Sequence, residues 1–225
     1  VKLLGIETSS GTGSVALRIG AEVRSREIAT PREQTEQLLR LVHESLATAG
    51  LELGALDGIT FGRGPGSFTG LRIAAAIAQG LALASGVPLV PVSSLLCLAQ
   101  TAWRKERVER ALVCVDARMG EVYWAEFVTR DGIARAVGAE RIGLPGDLAV
   151  QGDGLWTAVG DGFASYRDVL AERVAAAQRV LPELKPAAED LFPHAAAELA
   201  AGRSVTPAEA LPVYLREHTA WRRSS

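Results

Sequence analysis

Three short apolar stretches open the chain: Leu3, Leu4 and Ile6, then VALRIG, then the alternating AEVRSREI. The polar turn ETSSGTGS and a short Gly-bearing turn separate them, which predicts three strands in an antiparallel meander. The period then becomes helical. In TPREQTEQLLRLVHESLATAG, Leu38, Leu41, Val42 and Leu46 form one stripe, Thr30 and Glu33 fit a capping box, Pro31 takes the first helical position and Gly50 follows the end. Ile59, Thr60 and Phe61 suit a strand, a helix is expected from about Leu71 to Ser85, VPLVPV adds a strand, and a further helix runs from about Ser93 to Trp103. The order is βββαβα, an α/β class.

The charge run RKERVER (104–110) divides the chain into an amino-terminal domain, 1–104, and a smaller one, 105–225, whose last residues have the option of packing back on the first. In the second domain ALVCVDARMGEVYWAEFVTRDGIARAV reads as strands broken at Arg118 to Gly120 and at Asp131 and Gly132. Trp156 to Val159 suits a short strand, and AAEDLFPHAAAELAAG a helix capped or kinked by Pro193.

In the helix after residue 70 only Arg72, Gln79 and Ser85 are polar, so it is expected to be buried nearly all round. At 100° per residue, Ile73, Ile77, Leu81 and Ala84 share one face and Leu71, Ala75, Ala78 and Ala82 the opposite one. The bulky face suits the chain's own sheet. The alanine-rich face lets a second helix approach closely, from this chain or another, although an ordinary core helix satisfies the same pattern. Leu71, Arg72, Ala75, Ala78, Gln79 and Ala82, with Leu38 and Val42, are therefore the candidate partner interface.

Before that helix lies GRGPGSFTG, in which Gly62, Gly64, Gly66 and Gly70 permit turns with positive φ, Pro65 fixes one φ, and Ser67 and Thr69 are N-cap candidates. With Arg63, these residues make a shaped loop. Strand, glycine loop and helix also describe phosphate sites, but the GKS/GKT ending and GxGxxG spacing are absent. A second Ser/Thr/Gly-rich turn, TSSGTGS, offers donors for a phosphate, but from the residues alone a plain hairpin turn is preferred, since Glu7 at its entrance repels an anion unless a metal intervenes. Asp116, Arg118 and Glu121 cluster at a hairpin and read as a solvated ion pair or as a partner contact. His43, His194 and His218 are isolated, no metal-ligand spacing occurs, and Ser67 is not in a GxSxG elbow, so no catalytic residue and no metal site are assigned.

At 225 residues and 48% hydrophobic content the chain is long and apolar enough for a genuine core. With 24 Lys and Arg against 26 Asp and Glu, the net charge of -2 gives no general attraction to nucleic acid or acidic membranes. Cys97 and Cys114 sit in apolar contexts suited to free thiols in a reducing cytoplasm. The expectation is a cytoplasmic protein without a secretory signal or a membrane span of about 20 apolar residues.

Taken together, GRGPGSFTGLR, IAQGLALASGVPLVPVSSL, TAWRK, VDARMGEVYWAE, PAAED and PVYLREHTAWRR resemble the TsaB (YeaZ) family across nearly the whole chain. The resemblance implies an actin-like ATPase fold of the ASKHA, ribonuclease H-like type, with mixed sheets and a reduced second domain. It implies a noncatalytic subunit that is homodimeric alone and pairs with a catalytic TsaD-type subunit, joined by a TsaE-type ATPase. The assembly places a threonylcarbamoyl group on adenosine 37 of tRNAs reading codons that begin with A, so tRNA is met only through the complex. No cofactor of its own is implied, while ATP or ADP has room at the assembly interface. Where the catalytic relative carries a His pair, this chain has Ser94 and Leu98, and Glu7, followed by Thr8, Ser9 and Ser10, stands where the phosphate loop usually begins with Asp. The loop is thus a candidate vestige. The rival reading is an enzyme, either an ASKHA phosphotransferase or a glycoprotease-like metallopeptidase.

Overall fold

A computed structural model describes residues 1–28, 34–150 and 155–216. The opening meander forms as read: β1 (Lys2–Glu7), β2 (Gly13–Ile19) and β3 (Glu22–Ile28) pair antiparallel, with Leu4 opposite Leu17. On its other edge β1 pairs parallel with β4 (Gly58–Gly62), and β4 with β5 (Leu89–Val92), giving a five-stranded mixed sheet in the order β3-β2-β1-β4-β5. Parallel neighbours need a crossover. Here α1 (Gln34–Thr48) precedes β4 and α2 (Phe68–Ser85) links β4 to β5. The capping box at Thr30 and Glu33, Pro31, and His218 lie outside the described residues.

A second mixed sheet follows α3 (Ser94–Glu106). It comprises β6 (Arg110–Arg118), β7 (Glu121–Arg130), β8 (Ile133–Gly143), β9 (Thr157–Val159) and β10 (Arg179–Leu181), in the order β10-β9-β6-β7-β8. Helices α4 (Gly162–Ser165) and α5 (Ala171–Ala176) lie between β9 and β10, and α6 (Phe192–Ala200) follows, with Pro193 in its first turn and a 3-10 turn before it. The chain is a two-lobed α/β structure built on two five-stranded mixed sheets. The sequence reading does not include α4, α5 and β10, because elements of so few residues carry no apolar period, and the residues of α5 and β10 are mostly exposed besides.

The lobes exchange helices. Leu95, Leu98, Ala99 and Ala102 of α3 pack with Val113 and Phe127 of the second sheet. In return Ala188, Leu191, Phe192 and Ala195 pack on Leu3, Val90 and Val92 of the first, where Cys97 joins them. The division at 104/105 therefore falls in the last turn of a helix that serves the second sheet. Asp190 ties the exchange together: its buried carboxylate accepts two bonds from Arg104, each 2.8 Å, and one from Thr101 Oγ1 at 2.7 Å.

The faces of α2 need correction. Leu71, Ala75, Ala78 and Ala82 are 0–3% exposed and lie in the chain's own core, as do Leu38 and Val42 of α1. The buried half of α2 also takes in Ala74 and Ile77, leaving Phe68, Arg72, Ala76 and Leu83 along the exposed side. Alanines permit α2 to sit close upon the sheet and α1, so they mark the inside here, while Arg72 marks the outside. By length and apolar composition α2 is also a candidate membrane span, a test that core helices of soluble proteins pass as well.

His194 on α6 supplies a pH test. Its Nε2 is buried without a hydrogen-bond partner, and desolvation lowers its pKa to about 4, assisted by Arg135 and opposed by Asp190 and Glu198. The folded state prefers neutral imidazole, so this stabilisation is fully present above about pH 6.5 and is lost as pH falls toward 4. The difference in unfolding free energy between pH 7 and pH 4.5 should shrink by about 2 kcal/mol in His194→Gln. Urea midpoints of both proteins at the two pH values check it; equal pH dependence counts against the assignment.

Candidate functional site

Between the lobes lies a cleft of about 830 Å³. One wall comes from the first lobe: Ser9, Ser10 and Gly11 after β1, then Pro65, Gly66, Ser67, Phe68, Thr69, Leu71 and Arg72 at the start of α2. The other comes from Val115 to Arg118 at the end of β6, Tyr123, and Asp161. Ser94, Leu95 and Leu98 of α3, residues 182–186, and Val213, Tyr214 and Arg216 complete it. Three sequence motifs read separately thus meet in one cleft: the Ser/Thr-rich turn, the glycine loop and the Asp116–Arg118 hairpin.

The first two motifs are closed upon each other. Thr8 Oγ1 donates to the Gly70 carbonyl at 2.6 Å and Ser67 N–H donates to the Ser9 carbonyl at 2.8 Å. Ser67 also caps α2, its Oγ accepting from Gly70 N–H at 3.4 Å, so of the two cap candidates Ser67 serves and Thr69 lies within the helix. Gly70 is required for contact rather than for a positive φ: a Cβ there would overlap the Thr8 carbonyl oxygen. Gly62 likewise leaves room for the Glu7 carboxylate, whereas Gly64 does take φ 102°, beside the cis peptide bond to Pro65.

Glu7 faces inward, not into the cleft. It is 1% exposed, and its carboxylate accepts from Ser9 N–H at 2.6 Å and from Ser94 Oγ at 3.2 Å. Burial raises its pKa above the ordinary value, and these hydrogen bonds pull it partly back. Ser94 Oγ also accepts from Gly64 N–H at 3.2 Å, so Ser94 pins two loops together. Leu98 packs in the core of the second sheet. Among the described residues no group of three or more His, Cys, Asp or Glu is placed to hold a metal ion.

On the opposite wall Asp116 is held rather than free. Its Oδ1 accepts from Arg118 N–H at 2.8 Å and from Tyr166 Oη at 3.0 Å, while Oδ2 pairs with the Arg118 guanidinium at 3.0 Å. The Tyr166 hydroxyl is raised in pKa by loss of hydration and by the Asp116 carboxylate. Glu121 stands opposite Arg118 in the β6–β7 register, but its carboxylate pairs with Arg216, while Arg118 pairs with Asp116. Arg63 leans to Glu140 of β8 at 3.9 Å, and Ser93 Oγ donates to the same carboxylate.

The carboxyl-terminal segment is the part that site reasoning from sequence missed. Gln79 Nε2 donates to the carbonyls of Pro207 (2.8 Å) and Ala210 (3.2 Å), and Arg72 Nε to Tyr214 Oη (3.0 Å). The Arg72 guanidinium also stacks 3.7 Å from the centre of the Phe68 ring. The two polar residues of the candidate interface therefore hold the chain's own segment 207–214. PVYLRE in the sequence carried the signal, through a Pro-led run with an aromatic residue and an arginine.

Comparison with known proteins follows the same outline. The family model TsaD, tRNA N6-adenosine threonylcarbamoyltransferase, matches residues 27–216. The Escherichia coli K12 tRNA threonylcarbamoyladenosine biosynthesis protein TsaB is 40% identical, covering 99% of this chain and 98% of its own length. The Haemophilus influenzae TsaB is 32% identical over 98% and 96%. In structure, YeaZ from Pseudomonas aeruginosa superposes with a TM-score of 0.88 at 40% identity, covering 95% of this chain and 99% of that one.

Proposed function

The chain belongs to the TsaB (YeaZ) family, and from that premise we propose that it is a noncatalytic scaffold subunit of tRNA threonylcarbamoyladenosine biosynthesis. It pairs with a TsaD-type catalytic subunit, supports recruitment of a TsaE-type ATPase, meets tRNA through that complex in the cytoplasm, and self-associates when alone. Any ATP or ADP sits at the assembly interface. The closure of the two cleft loops upon each other carries this reading. Anion sites need free N–H donors converging at a helix start. Here two of the donors around the start of α2 are engaged, Ser67 N–H by the Ser9 carbonyl and Gly70 N–H by Ser67 Oγ, and the Glu7 carboxylate is turned into the core, which supports the reading.

The partner surface is redrawn on the same helices. Phe68 is 57% and Leu83 75% exposed on α2, and Leu39 is 46% exposed on α1. Large apolar side chains standing in solvent on adjacent helices suit a helical partner face. Leu83→Asp should keep the melting temperature of the parent yet weaken pairing with the catalytic subunit by about 30-fold, the effect of a hot spot of about 2 kcal/mol. Calorimetric titration reads it, and unchanged affinity would place the interface elsewhere.

Purified reconstitution tests the function itself. Modified adenosine 37 should form when the catalytic subunit, the ATPase and this chain are combined, and fall to background when this chain is left out. Equal product without it would overturn the proposal. So would threonylcarbamoyl transfer by this chain alone that a substitution in the cleft abolishes.

A further inference from the structure

Among the described residues two stretches of backbone cross between the lobes along the cleft: α3 with its flanks, and residues 182–187, which lead from β10 back to the first sheet. A third tie is made without a covalent crossover. Val205 bridges to Leu89 at the edge of the first sheet, Ala210 is buried in the core of the first lobe, and Val213 N–H donates to the Arg63 carbonyl at 2.8 Å. Tyr214 rests against Phe68, ring centres 5.6 Å apart, and accepts from Arg72. All of these anchors belong to the first lobe.

The next anchor belongs to the second. Arg216 Nη2 donates to the carbonyls of Ala117 (3.1 Å) and Arg118 (3.2 Å) and to the Glu121 carboxylate, while Nη1 lies 2.9 Å from Met119 Sδ. The hairpin tip is shaped for this. Arg118 and Met119 both take left-handed φ, 64° and 57°, a costly conformation for residues with a Cβ, and two successive carbonyls there meet one guanidinium. A planar fork with several donors fits such a convergence better than an ammonium would.

We propose that Leu211–Arg216 is a releasable latch: it spans the rim of the cleft, fixes the angle between the lobes, and opens at the Arg216 end. The opening end is assigned by chemistry. Val213 and Tyr214 hold the first lobe by a main-chain bond, ring packing and a side-chain bond, whereas among the described residues of the segment the second lobe is gripped by the Arg216 side chain. The hydrogen bonds of Arg216 are in part exposed, with its side chain at 30% and that of Glu121 at 33%, so water can replace them at low cost. With the latch released, the lobes remain joined by α3 with its Thr101 and Arg104 bonds to Asp190, by the Glu140 contacts and by residues 182–187, about which they swing and widen the cleft.

The test uses the full chain with spin labels at Glu22→Cys on β3 and Asp168→Cys in the second lobe, both exposed, while native Cys97 and Cys114 are buried. Pulsed dipolar spectroscopy should give one narrow distance distribution in the parent. Arg216→Ala and, independently, Glu121→Ala should shift and broaden it, with Arg216→Lys falling between. Arg203→Ala, which removes an ion pair to Glu198 beside α6, should leave it unchanged. Melting curves confirm that the variants are folded, and Glu121→Ala leaves the segment's own sequence intact should Arg216→Ala misfold. The parental distribution in Glu121→Ala, or an equal shift in Arg203→Ala, would overturn the latch. The readout requires neither tRNA nor partner subunits, so it stands or falls apart from the scaffold reading.

Discussion

Ala78→Glu leaves the chain without a cooperative unfolding transition. Ala78 is 0% exposed in the cluster that joins α2 to α1 and the first sheet, with Leu4, Leu38, Ile59 and Phe61 in the same core. A carboxylate there either stays ionised, at a cost of several kcal/mol, or takes up a proton and remains a polar group among apolar ones. Its extra atoms add about 1–3 kcal/mol of overpacking. Against a total stability of about 5–15 kcal/mol, these costs together remove the folded state. Circular dichroism and a thermal melt decide the point. A folded monomer with parental melting temperature would return this face to the surface, whereas Leu83→Asp on the exposed side of the same helix serves as the folded control.

Gly70→Ala is the second large effect, and it acts on the cleft rather than the core. A Cβ at residue 70 meets backbone, the Thr8 carbonyl, and neither loop can yield by rotating a side chain. The two loops must part, weakening the bonds from Thr8 Oγ1 to Gly70 O and from Ser67 N–H to Ser9 O. Overpacking of about 1–3 kcal/mol in a chain of this size lowers the melting temperature by about 3–10 °C. Hydrogen exchange should be faster at Ser67 than in the parent while the strands of the second sheet stay protected. An unchanged melting temperature would mean that the loops are not closed on each other in solution.

Much of this fold was legible because long periodic segments announce themselves. The β1–β2–β3 meander, the strand around Ile59, and the β6–β7–β8 strands broken at Arg118 and Asp131 all follow from alternation and turn residues. The phase of α2 was not legible from side-chain bulk. With both Ile77 and Ala78 buried, bulk does not separate inside from outside, but the exposed Arg72 does. In the cleft, the residues of the glycine loop were visible and their reasons were not. Gly62 and Gly70 are defined by what lies across from them, Glu7 and Thr8, more than fifty residues earlier in the chain. Nor could spacing pair Arg216 with Glu121 or Gln79 with Pro207, since contacts across such separations leave no local period.

The exchange of helices between the lobes has a consequence for synthesis on the ribosome. One face of the first sheet, carrying Leu3, Val90 and Val92, is complete once β5 has been made, but its cover, Leu191, Phe192 and Ala195, is encoded about 100 residues later. At about 5–20 residues per second that apolar face stays bare for about 5–20 s in the nascent chain. Ribosome-bound chains stalled after α3 should therefore recruit holdase chaperones that full-length chains no longer bind, and fragments cut at residue 104 should be insoluble without the missing carboxyl-terminal cover.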